Sequence, residues 1–269
     1  KTRPLLRLSS SMQSQATSNQ SKAQAGKLAL FVSDVHLSPA LPKTTDRFLA
    51  FLANQALTSE RLYILGDLFE YWAGDDDLND SYNHRIVEAL RQVSESGVKI
   101  FWIAGNRDFL VGPEFCKTIG AEPLPDPTVH DLNGTSILLT HGDALCTDDI
   151  GYMQFRQMVR DPAWQLQFLK KTLNERKAII EGMRKMSHQE QQNKRMEIMD
   201  VNLDAVNSLA KEYPGCTLIH GHTHRNAIHN EAFAQRYVLQ DWDFDHGKES
   251  RGGFLELDFE GQLHFTHLI

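Results

Sequence analysis

The 269-residue chain, 41% hydrophobic and 23% charged, is long enough for one sizeable domain with an insertion, or for two small ones. No run approaches the roughly 18–20 consecutive apolar residues of a membrane-spanning helix, and a net charge of −7 argues against the broad basic surface of a general nucleic-acid binder. Cys116, Cys146 and Cys216 cannot all pair and form no Cys-x-x-Cys, so they read as small buried thiols of a reducing compartment.

Residues 1–26 are rich in Ser, Gln and Ala, offer little to bury, and are predicted to be a disordered tail. From Lys27 short apolar segments end in polar clusters. Leu28–Ser33, Arg61–Leu65 and Val98–Ala104 are predicted as strands covered on both faces, with helices over Thr44–Ala56 and Ser81–Ser96 between them. Ser136–Thr140 and Cys216–Ile219 read as two more strands. Strands alternating with helices imply α/β layering. Tyr237–Leu239, Gly253–Phe259 and Leu263–His267 follow one another as short strands, so the sheet system is expected to be mixed. Between Gly151 and Asp200 the pattern is almost wholly helical and holds six of the seven methionines. This segment carries ten Lys/Arg against six Asp/Glu, a basic insertion on an otherwise acidic body.

Each core strand runs into a group of metal-ligating residue types: Asp34-Val35-His36, Gly66-Asp67, Gly105-Asn106-Arg107-Asp108, His141-Gly142-Asp143, and Gly221-His222-Thr223-His224. Beyond the carboxyl ends of strands in an α/β sheet, such groups converge on one crevice. Imidazole suits Mn, Fe or Zn, while a carboxylate can bridge two ions. Two such ions share the work of clamping a phosphoryl oxygen and stabilising attacking and leaving oxygens. Singly these pieces are weak, since Gly-Asp after a strand is usually only a turn. Five in order, each behind an apolar strand, are a strong signal. There is no Gly-x-Ser-x-Gly elbow, no phosphate-binding Gly-Lys-Ser/Thr loop and no Gly-x-Gly-x-x-Gly. His188, His229, His246, His264 and His267 have no ligand-like context.

The ordered set resembles the calcineurin-like metallophosphoesterase family. The resemblance implies a four-layer αββα sandwich of mixed β-sheets with a helical lid insertion: core over 27–150 and 201–269, lid over 151–200. It implies a first metal on Asp34, His36, Asp67 and His224, a second on Asp67, Asn106, His141 and His222, and a metal-bridging hydroxide as nucleophile. Asn106, Arg107 and His141 would be catalytic. Many members carry His where this chain has Arg107. An arginine stays charged and cannot serve as a general acid near neutral pH, yet its planar fork suits phosphate. A leaving group that needs no proton, such as a phosphate, is therefore expected, and with it a phosphoanhydride substrate.

Longer stretches are similar to the bacterial UDP-2,3-diacylglucosamine pyrophosphatase family of the lipid A pathway: Tyr63–Glu70 with Gly74–Asp77, Gly105–Leu110, His141–Asp149, Ile198–Asn202 and Ile219–Arg225. That similarity implies cleavage to UMP and 2,3-diacylglucosamine 1-phosphate with Mn²⁺. Asn106, Arg107, Asp149, Ser187, Lys194 and His222 would contact substrate, joined by Arg184. Gln191 stands where the family commonly has Asn. Trp72, Tyr152, Phe155 and the lid methionines are candidates to line an acyl groove. The basic excess favours peripheral contact with an anionic membrane surface, on the cytoplasmic face of the inner membrane, by a monomer. A two-metal phosphoesterase for a soluble nucleotide or phosphoprotein is the alternative, and a non-catalytic binding module on the same fold a third possibility.

Overall fold

Alternation along the first strands decides the layering. In β1 (Ala29–Val32), Leu30 and Val32 face one way and Ala29 and Phe31 the other, and all four are buried. The same split separates Leu62 and Ile64 from Tyr63 and Leu65 in β2 (Arg61–Leu65), and Ile100 and Trp102 from Phe101 and Ile103 in β3 (Lys99–Ile103). A sheet with no polar face must be covered on both sides. The computed structural model, which describes residues 26–191, 200–231, 234–247 and 249–268, shows both covers.

One cover is helical. α1 (Pro42–Asn54), α2 (Ser81–Glu95) and α3 (Pro113–Ile119) pack Phe48, Leu52, Ile86, Leu90 and Phe115 against Leu30, Ile64 and Trp102. The other is a second sheet. Strands β4 (Ala121–Pro123), β5 (Thr128–Leu132), β6 (Thr135–Leu139), β7 (Thr217–His220), β8 (Ala227–Asn230), β9 (Gln235–Val238), β10 (Gly253–Leu257) and β11 (Leu263–His267) complete the sheets. The first sheet has the order β11-β10-β1-β2-β3-β4 and the second β5-β6-β7-β9-β8. In the first sheet the parallel run β1–β2–β3–β4 is extended by the antiparallel β10 and β11 on one side, and in the second the parallel run β6–β7–β9 is flanked by antiparallel β5 and β8, so both sheets are mixed as expected. Between the sheets Phe31, Tyr63 and Phe101 stack in succession, with centroids 4.9 and 4.7 Å apart, against Ile137, Leu139 and Ile219. The opposite face of the second sheet, Leu138 and Leu218, is covered by Val206 of α7 (Leu203–Glu212). The layers therefore run helix, sheet, sheet, helix.

The segment between β6 and α7 forms α4 (Ile150–Arg160), α5 (Pro162–Leu169) and α6 (Leu173–Gln191). Asp149 and Asp161 cap α4 and α5 by accepting from backbone N–H groups of their first turns, and Pro162 opens α5 where a missing N–H costs nothing. Polar anchors seat these helices on the core. Tyr152 Oη and Arg156 Nε donate to the fully buried Asp143 at 2.6 and 2.9 Å, and Arg160 donates to the carbonyls of Ala104 and Gly105. Buried Arg176 donates to the Ala73 carbonyl and to Asp76, while Lys177 pairs with Asp77 at 2.6 Å.

Several expectations change in detail. α3, α7 and the strands β4, β5 and β8 are additions. Trp72 does not line a groove: it is 1% exposed, packs on Phe69 and Phe115, and donates its Nε1–H to Asp75 at 3.0 Å. A large ring with one polar atom is satisfied there by the core and one carboxylate. The three cysteines are buried and form no disulfide with one another. The tail, residues 1–25, lies outside the described residues. Among the described residues no helix is long and apolar enough to cross a membrane.

Candidate metal centre

The strand ends bring their ligand-type residues together. Asp34 and His36 follow β1, Asp67 follows β2, Asn106 follows β3, His141 follows β6, and His222 and His224 follow β7. Asp34, His36 and His224 each present a donor atom within 4.8 Å of the others, as do Asp34, Asp67 and His141. Asn106 Oδ1 lies 2.9 Å from His141 Nε2 and 2.7 Å from His222 Nδ1, and Asp67 Oδ1 lies 3.7 Å from the same His141 nitrogen. Asp67 thus stands between two groups: Asp34, His36 and His224 on one side, and Asn106, His141 and His222 on the other.

The backbone is bent to make this possible. Asp34, His36, Asp67, His222 and His224 all have φ between 52° and 67°, the left-handed region that side-chain-bearing residues rarely adopt. Among the described residues only Asn133, in a turn, joins them. Such strain persists where surrounding structure enforces it, and it gathers at functional sites. Around Asp67 the enforcer is Asp108. Its buried carboxylate accepts from the backbone N–H of Gly105, Asp67, Leu68 and Phe69 at 2.8–3.4 Å, stapling the loop after β2 to the loop after β3. Arg107 N–H donates to Asp67 Oδ1 at 2.7 Å across the same seam.

Contacts behind the site select which nitrogen of each ring faces inward. His141 Nδ1 lies 2.8 Å from the Leu65 carbonyl, which can only accept, so Nδ1 carries a proton and Nε2 is the nitrogen turned to the site, open to a cation once its own proton leaves. His36 Nδ1 lies 3.1 Å from the Glu70 carboxylate and His224 Nδ1 3.5 Å from Asp241, close charge contacts rather than aligned hydrogen bonds, which favour the proton on Nδ1 in each ring. The Nε2 atoms of His36 and His224 stand 3.3 Å apart, and they lie 4.0 and 3.3 Å from Asp34 Oδ1. Asp34 Oδ2 is used by Ser33 Oγ–H at 2.5 Å and His222 N–H at 2.9 Å, whereas the buried Oδ1 makes no hydrogen bond. A buried carboxylate oxygen without a hydrogen bond, facing two imidazole nitrogens, has the chemistry of a divalent-cation site.

Electrostatics agree with that geometry. Burial would lift the Asp34 carboxyl, but His224, His141 and His36 facing it outweigh burial and hold it well below the usual carboxylate range. Burial would lower His141, but the charges of Asp67, Asp34 and Asp143 push it up to about 9. The negative field that holds a proton there would also hold a cation, with the proton released in exchange. His222 falls to about 4, through burial and then repulsion from His141.

The remaining expected site residues are distributed differently. Arg107 is half-buried beside the ligand loops. Asp149 caps α4, accepting from Tyr152 N–H at 3.0 Å, while the Tyr152 ring packs on His222 with centroids 5.7 Å apart. Arg184 of α6 reaches the site by pairing with Glu70. Ser187 and Gln191 fall on α6, but their side chains, and Lys194 altogether, lie outside the described residues. Sequence reasoning left Asp108, Asp143, Glu70 and Asp241 without a role. Asp108 and Glu70 sat inside the family-like motifs, while Asp241 carried no signal at all. His220, between two ligand segments, is a framework residue. It is buried with Nδ1 on the Gly221 carbonyl and Nε2 toward Arg236, and burial lowers it to about 4.

The calcineurin-like phosphoesterase family profile matches residues 28–226. A UDP-2,3-diacylglucosamine hydrolase of Aromatoleum aromaticum is 49% identical over 221 residues, 81% of this chain and 90% of that protein. Proteins of the same name from Pseudomonas paraeruginosa and Chromohalobacter salexigens are 44% and 43% identical, over 86% and 82% of this chain and 95% and 92% of their own lengths. The chain belongs to the calcineurin-like phosphoesterase family and, within it, to the family of the UDP-2,3-diacylglucosamine hydrolases.

Proposed function

We propose that the chain hydrolyses the pyrophosphate bond of UDP-2,3-diacylglucosamine, giving UMP and 2,3-diacylglucosamine 1-phosphate in lipid A biosynthesis. The observation that carries this reading is the convergence of the ligand-bearing strand ends, with Arg107 beside them, in a chain 49% identical to a hydrolase of that name.

The donor set fits two divalent cations, for which Mn²⁺ is our choice. Asp34, His36, Asp67 and His224 would hold one, and Asp67, Asn106, His141 and His222 the other. When bound, the pair supplies Lewis acidity and makes an attacking water acidic enough to lose a proton near neutral pH. The chain's own groups do the rest. The Arg107 guanidinium, charged throughout, clamps phosphoryl oxygens and counters the charge that develops on them. The water oxygen bonds to the phosphorus nearer uridine, and the P–O bond to the second phosphate breaks. The anhydride oxygen leaves with its electron pair on 2,3-diacylglucosamine 1-phosphate. A phosphate departs without protonation, so no general acid is needed where Arg107 stands. Asn106, Asp149, Arg184, Ser187, Gln191, Lys194 and His222 are the proposed substrate contacts.

The helices α4–α6 act, in this reading, as a lid over the acyl chains. Exposed Ile150, Met158, Leu166, Leu169 and Met186 on a segment with a basic excess suit peripheral contact of a monomer with the cytoplasmic face of an anionic inner membrane. The test is direct: the full chain, UDP-2,3-diacylglucosamine and Mn²⁺ should release UMP. Metal-loaded protein that releases none would end the proposal.

A further inference from the structure

Two carboxylates stand behind the imidazoles of the Asp34 group, and they differ in what holds them. Asp241 faces His224 Nδ1 and accepts from Arg251 Nε at 2.8 and 3.0 Å on its two oxygens. Arg251 is itself tied next door, bridging backbone to backbone with Asp243. That carboxylate is therefore fixed within the core. Glu70 is held from elsewhere. Its backbone N–H donates to the Leu37 carbonyl at 3.1 Å, tying it to the His36 loop, and its Oε2 lies 3.1 Å from His36 Nδ1. Its other oxygen, Oε1, accepts from Arg184 Nη2, in the middle of α6. The Arg184 guanidinium also lies 5.7 Å from the Tyr71 ring centroid, so carboxylate and ring together seat it.

We propose that Glu70 is a positioning residue through which the seating of α6 sets the cation affinity of the His36 position. This rests on the two-cation reading above. A carboxylate on the far nitrogen of a ligand imidazole fixes its tautomer, aims the ring and raises its basicity. Glu70 can do so only while its side chain is held with one oxygen toward His36, and the contact that holds the other oxygen comes from the insertion. With Arg184 in place the ring is aimed. Without it, Glu70 is free to rotate and the imidazole loses its support. The guanidinium atom given to Glu70 is also unavailable to a phosphate, so a substrate drawing Arg184 away would be felt at His36. No equivalent link runs from α6 to Asp241 among the described residues.

The experiment reads metal affinity of the metal-stripped full chain, without substrate, by competition for Mn²⁺ with a fluorescent chelator. Glu70→Gln keeps an oxygen for Arg184 and loses the charge behind His36, so the apparent Kd should rise by about 10- to 100-fold. Arg184→Ala should raise it several-fold in the native background and not at all in the Glu70→Gln background. Asp241→Asn should also weaken binding, but its effect and that of Arg184→Ala should multiply. A Kd for Glu70→Gln within twofold of wild type would overturn the inference, as would an undiminished Arg184→Ala effect in that variant. If the wild-type chain takes up no Mn²⁺, the two-cation reading fails and this inference with it. If it does and Glu70→Gln matches it, only the inference falls.

Discussion

Gly105 offers a sharp test of how tightly the centre is built. A Cβ placed on it would overlap both Oδ1 and the backbone nitrogen of Asp67, and would stand 2.8 Å from the Asp67 carboxyl carbon. Ordinary contact would require the two segments to separate by about 1 Å. They cannot part easily, because Asp108 binds Gly105 N–H at 2.8 Å and Asp67 N–H at 3.2 Å with one carboxylate oxygen. Gly105→Ala should therefore cost about 1–3 kcal/mol of stability, the usual range for overpacking a filled site. It should also displace the carboxylate between the two ligand groups. A displacement near 1 Å at a catalytic centre is worth about 10²-fold in rate. UMP release and bound Mn²⁺ would be measured on the same folded preparation, with unfolding in urea as the stability readout. A variant that keeps its metal and turns over within threefold of wild type would show that the loops after β2 and β3 are not stapled as described.

Four further outcomes are expected. Asp67→Ala should lower turnover by about 10³-fold or more, through several kcal/mol of lost charge stabilisation, and near-normal UMP release would refute the shared role of that carboxylate. Asp143→Ala leaves Arg156 and Tyr152 without their buried partner and should destabilise by about 3 kcal/mol in urea unfolding; a change below about 0.5 kcal/mol would mean that α4 is anchored otherwise. Gly182 lies within α6, and a methyl group added to it would meet nothing within 4 Å, so Gly182→Ala should stabilise by about 0.5–1 kcal/mol, visible as a rise in Tm of a few degrees. Mn²⁺ at a hundredfold excess over its Kd should stabilise the stripped chain by about 2.7 kcal/mol per site, and an unchanged urea midpoint would mean that no folded site exists.

Much of the fold was legible because its central strands are continuously apolar. Arg61–Leu65 is bounded in the structure as it was in the sequence, and β1, β3, β6, β7, β10 and β11 fall within a few residues of expectation. The strands that escaped lie at or near sheet edges or are short. β5 mixes exposed Val129 and Asp131 with buried Leu132, and β8 is at most half-buried, so neither shows an apolar run. α3 spans only seven residues, too few for a helical period to stand out.

The ligand cluster was legible for a different reason: each of its residues sits at a strand end, and strand ends are visible as texture changes. What surrounds the ligands was not. Glu70 and Asp241 matter through the nitrogen they face, and that depends on a tertiary approach no spacing encodes. Arg184 was expected to serve substrate, and the structure gives it a carboxylate first. Trp72 was expected to help line an acyl groove, and packing claimed it instead.

The left-handed backbone at Asp34, His36, Asp67, His222 and His224 has a consequence for how such a chain drifts over generations. Each of these residues holds a conformation that costs about 1–2 kcal/mol against glycine or asparagine. Replacing any of them by glycine relieves that cost while discarding a ligand. A lineage released from the need for chemistry would thus find its centre eroding downhill, toward a sturdier and inert version of the same scaffold.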